Sequence, residues 1–148
     1  MYTILLTQFA TTWFMVGLIW LIQIVHYPLF ASVGVEQFSE YSERHQFLIT
    51  FIVGPVMAAE LITAIVLAFY PVFPGVGLWF RIGLGLLVVI WISTALIQVP
   101  QHGKLTGGFD LATVQALVRG NWIRTIAWTL RGLILLVVLG KLIAVPSA

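Results

Sequence analysis

Four long apolar runs decide what this chain can become. Residues 4–25, 47–70, 78–99 and 122–144 are each predominantly apolar and bounded by Pro, Gly or charged residues. Each matches the ~20 residues an α-helix needs to cross a hydrocarbon core about 30 Å thick. Within that core the backbone must satisfy its own hydrogen bonds, which a helix does within a single segment. The expected class is all-α, an integral membrane four-helix bundle.

Composition agrees, with 61% hydrophobic and 8% charged residues against about 45–50% and about 25% in soluble domains. No polar stretch among the 148 residues is long enough for a second domain, so a single transmembrane domain is expected, with function in or beside the bilayer. Without cysteine, disulfides, thiolate metal sites and a cysteine nucleophile are excluded, and any metal must be held by His, carboxylate or Met. The net charge of +2 comes from only seven basic residues. They lie mostly at run ends, so they read as topology signals and no nucleic-acid partner is implied. The first run follows Met1 with no basic segment and no small-residue cleavage site, and is read as a retained span.

The second connection, "YPVFPGVG", is a tight Pro/Gly turn, and the two longer connections share the opposite face. They carry Arg44, Lys104, Arg119 and the boundary Arg124, against Arg81, Lys141 and the amino terminus on the other side. The positive-inside rule then places loops one and three in the cytoplasm. Within 34–46, Val35, Phe38, Tyr41 and His45 share one helical face and Glu36, Glu40 and Glu43 another, which predicts an interfacial helix. Within 110–120, Asp110 is expected to cap a short helix ending near Gly120.

A shift that places His26 on His102 also places His45 on Asn121 and juxtaposes "IQIVHYP" with "IQVPQHG". That pattern fits two pseudo-repeated helical hairpins related by an axis along the membrane normal.

Two ionisable residues fall far from any span end. At about 1.5 Å per residue, Glu60 lies roughly 20 Å into span two and Arg131 roughly 13 Å into span four. Intramembrane charges are costly and mark functional sites by default, each with a partner to be found. Each is assigned here as the other's partner. Two roles stay open: a buried ion pair that fixes packing, or a catalytic pair in which Glu60 carries protons or binds metal and Arg131 holds an anionic group. Gly54 and Pro55 are expected to kink span two above Glu60.

At about 100° per residue, Thr12, Ile19, Gln23 and His26 fall within about 60° of one another, as do Trp91, Thr94, Gln98 and Gln101. These stripes should face the bundle interior, with Gln23 and Gln98 as cofactor-binding candidates. They lead to His26 and His102, and His45 enters span two at the same level. Three imidazoles and a carboxylate suit zinc, iron or copper, and two axial imidazoles suit haem. The alternative is three independent interfacial histidines. In "RGNWIRTIAWTLRG", Asn121, Arg124, Trp128 and Arg131 share one face, suited to an aromatic or anionic ligand. No H-E-x-x-H, Gly-rich phosphate loop or serine-nucleophile motif occurs.

With "NWIRT", "QVPQHGKL" and "QIVHYP", the chain resembles small four-span bacterial membrane proteins, loosely the anthrone-oxygenase-like group among them. That resemblance implies a four-helix bundle in a bacterial inner membrane, in some members oxidation of an aromatic or quinone-like substrate, and Asn121 and Arg124 in the active region. Two functions are therefore carried forward. One is a metal- or haem-dependent membrane oxidoreductase acting on a lipophilic aromatic or isoprenoid molecule, with metal ligands His26, His45 and His102 and catalytic residues Glu60, Arg131, Arg124 and Asn121. The other is a non-enzymatic subunit or proton-coupled transporter built around Glu60 and Arg131. Gly83, Gly85, Gly132 and Gly140 permit close helix approach, within the bundle or in a homo-oligomer.

Overall fold

The computed structural model describes residues 1–70 and 73–144. Four helices in it are long and apolar enough to cross a membrane, and the protein is an integral membrane four-helix bundle. The chain runs α1 (Tyr2–Leu21), a π turn (Ile22–His26), α2 (Tyr27–Leu29), two 3₁₀ turns (Phe30–Ser32 and Val35–Gln37), α3 (Phe38–Phe69), α4 (Gly77–Ser93), a second π turn (Thr94–Gln98), α5 (Val99–Leu105) and α6 (Leu111–Ala144). The long helices form a ring in which α1 and α4 each pack against both α3 and α6. Short connections produce this antiparallel order. Gly75, at φ 77°, supplies the left-handed residue of the tight turn between α3 and α4.

The two expected interfacial segments do not stand apart from the spans. Residues from Phe38 onward belong to α3, 32 residues or about 48 Å long. Those from Leu111 belong to α6, 34 residues or about 51 Å. Both exceed the roughly 30 Å hydrocarbon core, so their charged amino-terminal turns project beyond it. Asp110 caps α6 as expected, accepting from the Ala112 and Thr113 amides and the Thr113 hydroxyl. Those bonds, led by the Thr113 hydroxyl, hold its carboxyl below the ordinary aspartate range. Gly120, however, does not end the helix. A Cβ there would lie 2.7 Å from Ile97 Cγ2 and 3.3 Å from Gln98 Nε2, so glycine admits the second π turn against α6. Likewise α3 runs unbroken through Pro55, a proline that membrane helices tolerate.

The order of long helix, π turn, proline-bearing short helix and long helix occurs twice. Its register differs from the one the histidines suggested. Thr94 follows Ile22 by 72 residues and Pro100 follows Pro28 by the same interval, so the backbone places His26 opposite Gln98, and Phe30 opposite His102. The proline explains the π turn. A proline ring clashes with the carbonyl four residues back, here Ile24 or Leu96, and both lie inside the widened turns. Tyr27 N–H instead donates to Ile22 and Val99 N–H to Thr94, each five residues back.

Three apolar clusters make up the core: Leu5, Leu67, Phe80 and Val138 at the tight-turn end, Met15, Ile19, Leu87 and Trp128 in the middle, and Phe30, Phe38, Leu105 and Leu117 under the long connections. Among the glycines proposed for close approach, Gly132 packs on Trp13 and Val16, and Gly83 lies beside Arg131 inside the bundle. A Cβ added at Gly85 or Gly140 would meet no other part of the described bundle within 4 Å.

Candidate functional site

Polar side chains collect in two layers, and the same indole touches both. In the inner layer Glu60, 0% exposed, forms the expected ion pair with Arg131, its Oε1 accepting from Arg131 Nη2 at 3.0 Å and Nε at 3.2 Å. The same oxygen accepts from Thr12 Oγ1 at 2.7 Å, and Oε2 accepts from Trp128 Nε1 at 3.0 Å. Arg131 Nη1 donates to the Gly83 carbonyl. Behind Thr12, Gln8 donates to it at 2.8 Å and accepts from Thr63 at 2.8 Å. Four elements are thus tied by one saturated network, the condition under which a buried charge pair is tolerated.

The outer layer lies at the π turns. Gln23, turned inward by the first of them, donates to the Val118 carbonyl at 3.1 Å. It accepts from Asn121 Nδ2 at 2.9 Å and Thr125 Oγ1 at 3.3 Å, which anchors α1 to α6. Tyr27 Oη and His102 Nε2 are 2.9 Å apart, and His26 Nε2 and His45 Nδ1 are 3.0 Å apart. The His45 and His102 ring centroids are 5.7 Å apart, with Phe30 packed against all three imidazoles. Gln46 donates to the His102 carbonyl at 3.2 Å, joining α3 to α5. Arg124 is 6% exposed, with its Cζ 5.5 Å from the centroid of the Trp128 ring and its head facing the Tyr27 phenol.

Beside this layer is a cavity of ≈ 280 Å³. Tyr27, His45, Gln98, His102 and Arg124 form its polar wall, and Ile49, Val53, Met57 and Trp91 its apolar wall. The exposed lining residues, Thr50 and Gly54 on α3, Trp91 on α4 and Val99 on α5, put its mouth on the flank between α3 and α4. A second hollow of ≈ 370 Å³ is bordered by His26, Tyr41, Arg44, His45 and Leu48. His45 borders both. Of the eight buried side-chain polar atoms that lack a partner among the described residues, six belong to this layer: both amide atoms of Gln98, Gln101 Oε1, His102 Nδ1, Asn121 Oδ1 and Arg124 Nε. Buried polar atoms are normally bonded, so this concentration marks unused bonding capacity in the layer, and Gln98, His102 and Arg124 carry it to the cavity wall.

The predicted site residues therefore divide. Gln23, His26, His45, Gln98, His102, Asn121 and Arg124 stand in the outer layer, whereas Glu60 and Arg131 belong to the inner one and do not line the cavity beside Tyr27 and His102. Glu60 consequently does not complete a ligand set with the histidines. Two imidazole nitrogens are directed at each other and a third at Tyr27. Among the described residues no three His, Asp or Glu side chains are arranged, as they stand, to hold a metal ion. A haem or metal bound here would need those hydrogen bonds to open first.

Tyr27, Gln46, Gln8 and Thr63 were not singled out from sequence. Gln8 could have been, since it lies one helical turn before Thr12 on the same stripe. Tyr27 could have been as well, since it lies one helical turn after Gln23 on the same stripe. Comparison with protein-family models, with curated proteins and with solved structures finds no match to this chain.

Proposed function

We propose that the protein is a membrane-embedded enzyme that admits a lipophilic molecule, aromatic or isoprenoid in character, between α3 and α4 and exchanges protons with it. The supporting observation is the cavity itself. Its mouth is on an apolar flank, and its inner wall carries a phenol, two imidazoles, a primary amide and a guanidinium. Pockets that combine apolar walls with a few convergent polar groups are the default binding sites of proteins. Tyr27 and His102, already bonded, can hand a proton to or from a bound head group. The His26–His45 pair connects that wall to the second hollow beside Arg44, a route for protons to exchange with the aqueous face. Gln23 and Asn121 hold the backbone frame of α1 and α6 on which this wall is set.

In its redox form this reading is the oxidoreductase or oxygenase expected from sequence, with haem, iron, copper or zinc held by His26, His45 and His102. An absorption spectrum with elemental analysis of the purified protein tests that form. A Soret band or stoichiometric metal supports it, and a colourless, metal-free protein leaves proton transfer without a resident metal. The saturated Glu60–Arg131 pair supports a packing role more than the proton-coupled transport considered as the alternative. The inner-membrane location and a cytoplasmic face for Arg44, Lys104 and Arg119 belong to the same proposal, and reagent accessibility of cysteines introduced at those positions tests them.

The binding claim is tested with a photoactivatable diazirine fatty alcohol in protein-containing vesicles. Labelling is expected on the segments 50–57 and 91–99. Labelling spread evenly over all lipid-facing helix surfaces would overturn it.

A further inference from the structure

We infer that the molecule admitted by this cavity carries one compact anionic oxygen head, a carboxylate or an enolate, held by Arg124. This inference rests on the binding reading above and narrows it to a ligand class. A buried guanidinium without a counter-charge is strongly disfavoured, and the same bundle shows how it meets that demand when the partner is its own: Arg131 is paired with Glu60. No such partner is open to Arg124. The chain has five acidic residues. Glu60 is committed to Arg131, and Glu36, Glu40, Glu43 and Asp110 are exposed at the helix ends. The Tyr27 phenol facing Arg124 gives it a neutral hydroxyl oxygen, not a counter-charge.

The neighbouring amide points to the same class. Gln98 is 1% exposed and has neither its Nε2 nor its Oε1 bonded. It lies on the second π turn, against which only a glycine at position 120 fits. A guanidinium fork and an amide N–H on one wall form a donor set for an oxygen anion. Gln98 Oε1 is an acceptor for a hydroxyl on the same head. With one unpaired guanidinium and no other Arg or Lys among the described residues lining the cavity, the wall matches a single negative charge better than a doubly charged phosphate. The apolar remainder of the ligand leaves through the mouth between Gly54 and Val99 into the lipid.

Three diazirine probes of equal chain length, a fatty acid, its alcohol and its amine, separate the possibilities on wild-type protein in neutral vesicles. The acid is expected to label segments 50–57 and 91–99 at least about tenfold more than the alcohol, as one charge-assisted hydrogen bond provides, and the amine to label least. In Arg124→Gln the acid-to-alcohol ratio should fall to near one, and Arg124→Lys should keep part of the preference. Cavity labelling by the alcohol as strong as by the acid would leave the binding site standing and overturn the anionic head. Labelling of neither segment by any probe would overturn the binding reading as well. Should Arg124→Gln not fold, competition of decanoate against decanol for alcohol labelling of the wild-type protein decides alone: a tenfold stronger effect of decanoate supports the inference, and equal effects overturn it.

Discussion

The inner and outer polar layers each hold one buried arginine, at opposite states of completion. Around Glu60, every carboxylate oxygen has a donor and the guanidinium of Arg131 has two acceptors. Around Arg124, a guanidinium, an amide and an imidazole keep atoms unbonded beside a cavity. A closed network holds helices together, and an open one has capacity left for something from outside. Trp128 belongs to both, giving its N–H to Glu60 and its ring face to Arg124. The teaching is that an intramembrane charge by itself does not mark a site. What matters is whether the protein has already supplied its partner.

Substitution effects on stability, followed by SDS titration of the refolded protein, should differ sharply between the layers. The largest effect is expected from Glu60→Gln, which leaves Arg131 buried without its counter-ion and should cost about 3–5 kcal/mol. The double change Glu60→Gln with Arg131→Met should recover most of that loss. Additive losses would mean that the pair is not coupled and that the inner layer is not closed. Next is Gly120→Ala, where the new methyl meets Ile97 and Gln98 and overpacking should cost about 1–3 kcal/mol. A neutral result would show that the second π turn is free to retreat from α6.

Arg124→Met sharpens the contrast further, since it removes a charge that has no acidic partner. Relief of the desolvation cost and loss of the contact with Trp128 should nearly cancel, leaving stability within about 1 kcal/mol of wild type. A loss as large as that of Glu60→Gln would mean that the two layers do not differ in the way described. The smallest effect belongs to Asp110→Ala, at the exposed start of α6. Its carboxyl is held below the ordinary aspartate range by Thr113, so its contribution is present at neutral pH and disappears as pH falls through that lowered range. The variant should therefore be slightly less stable than wild type at pH 7 and indistinguishable from it in strong acid.

Much of this was legible in the sequence because the bilayer enforces simple rules. The four spans follow from run length, the Glu60–Arg131 pair from the cost of lone charges in hydrocarbon, and the buried stripe of Asn121, Arg124, Trp128 and Arg131 from the helical period. The meeting of His26, His45 and His102 at one level could also be anticipated, though not their hydrogen bonds. What escaped was geometry that a uniform helical period cannot express. At about 100° per residue no reading inserts a π turn, so the repeat was aligned on its histidines when the backbone aligns on Pro28 and Pro100. The first interfacial segment leads into span two as its helical spacing suggests, but the fusion of the second into α6 was missed for another reason: a glycine such as Gly120 reads as a terminus unless its neighbour, here Ile97, is known.

The π turns have a consequence that is genetic in form. Each is a stretch of helix carrying one residue beyond its pitch. With Leu96 removed, the stretch before Pro100 would lose that residue, and the proline ring would again meet a carbonyl four residues back. Gln98, on the same turn, would lose its seat against Gly120, while the four spans would remain long enough to cross the bilayer. The setting of one wall of the polar chamber thus depends on a single codon.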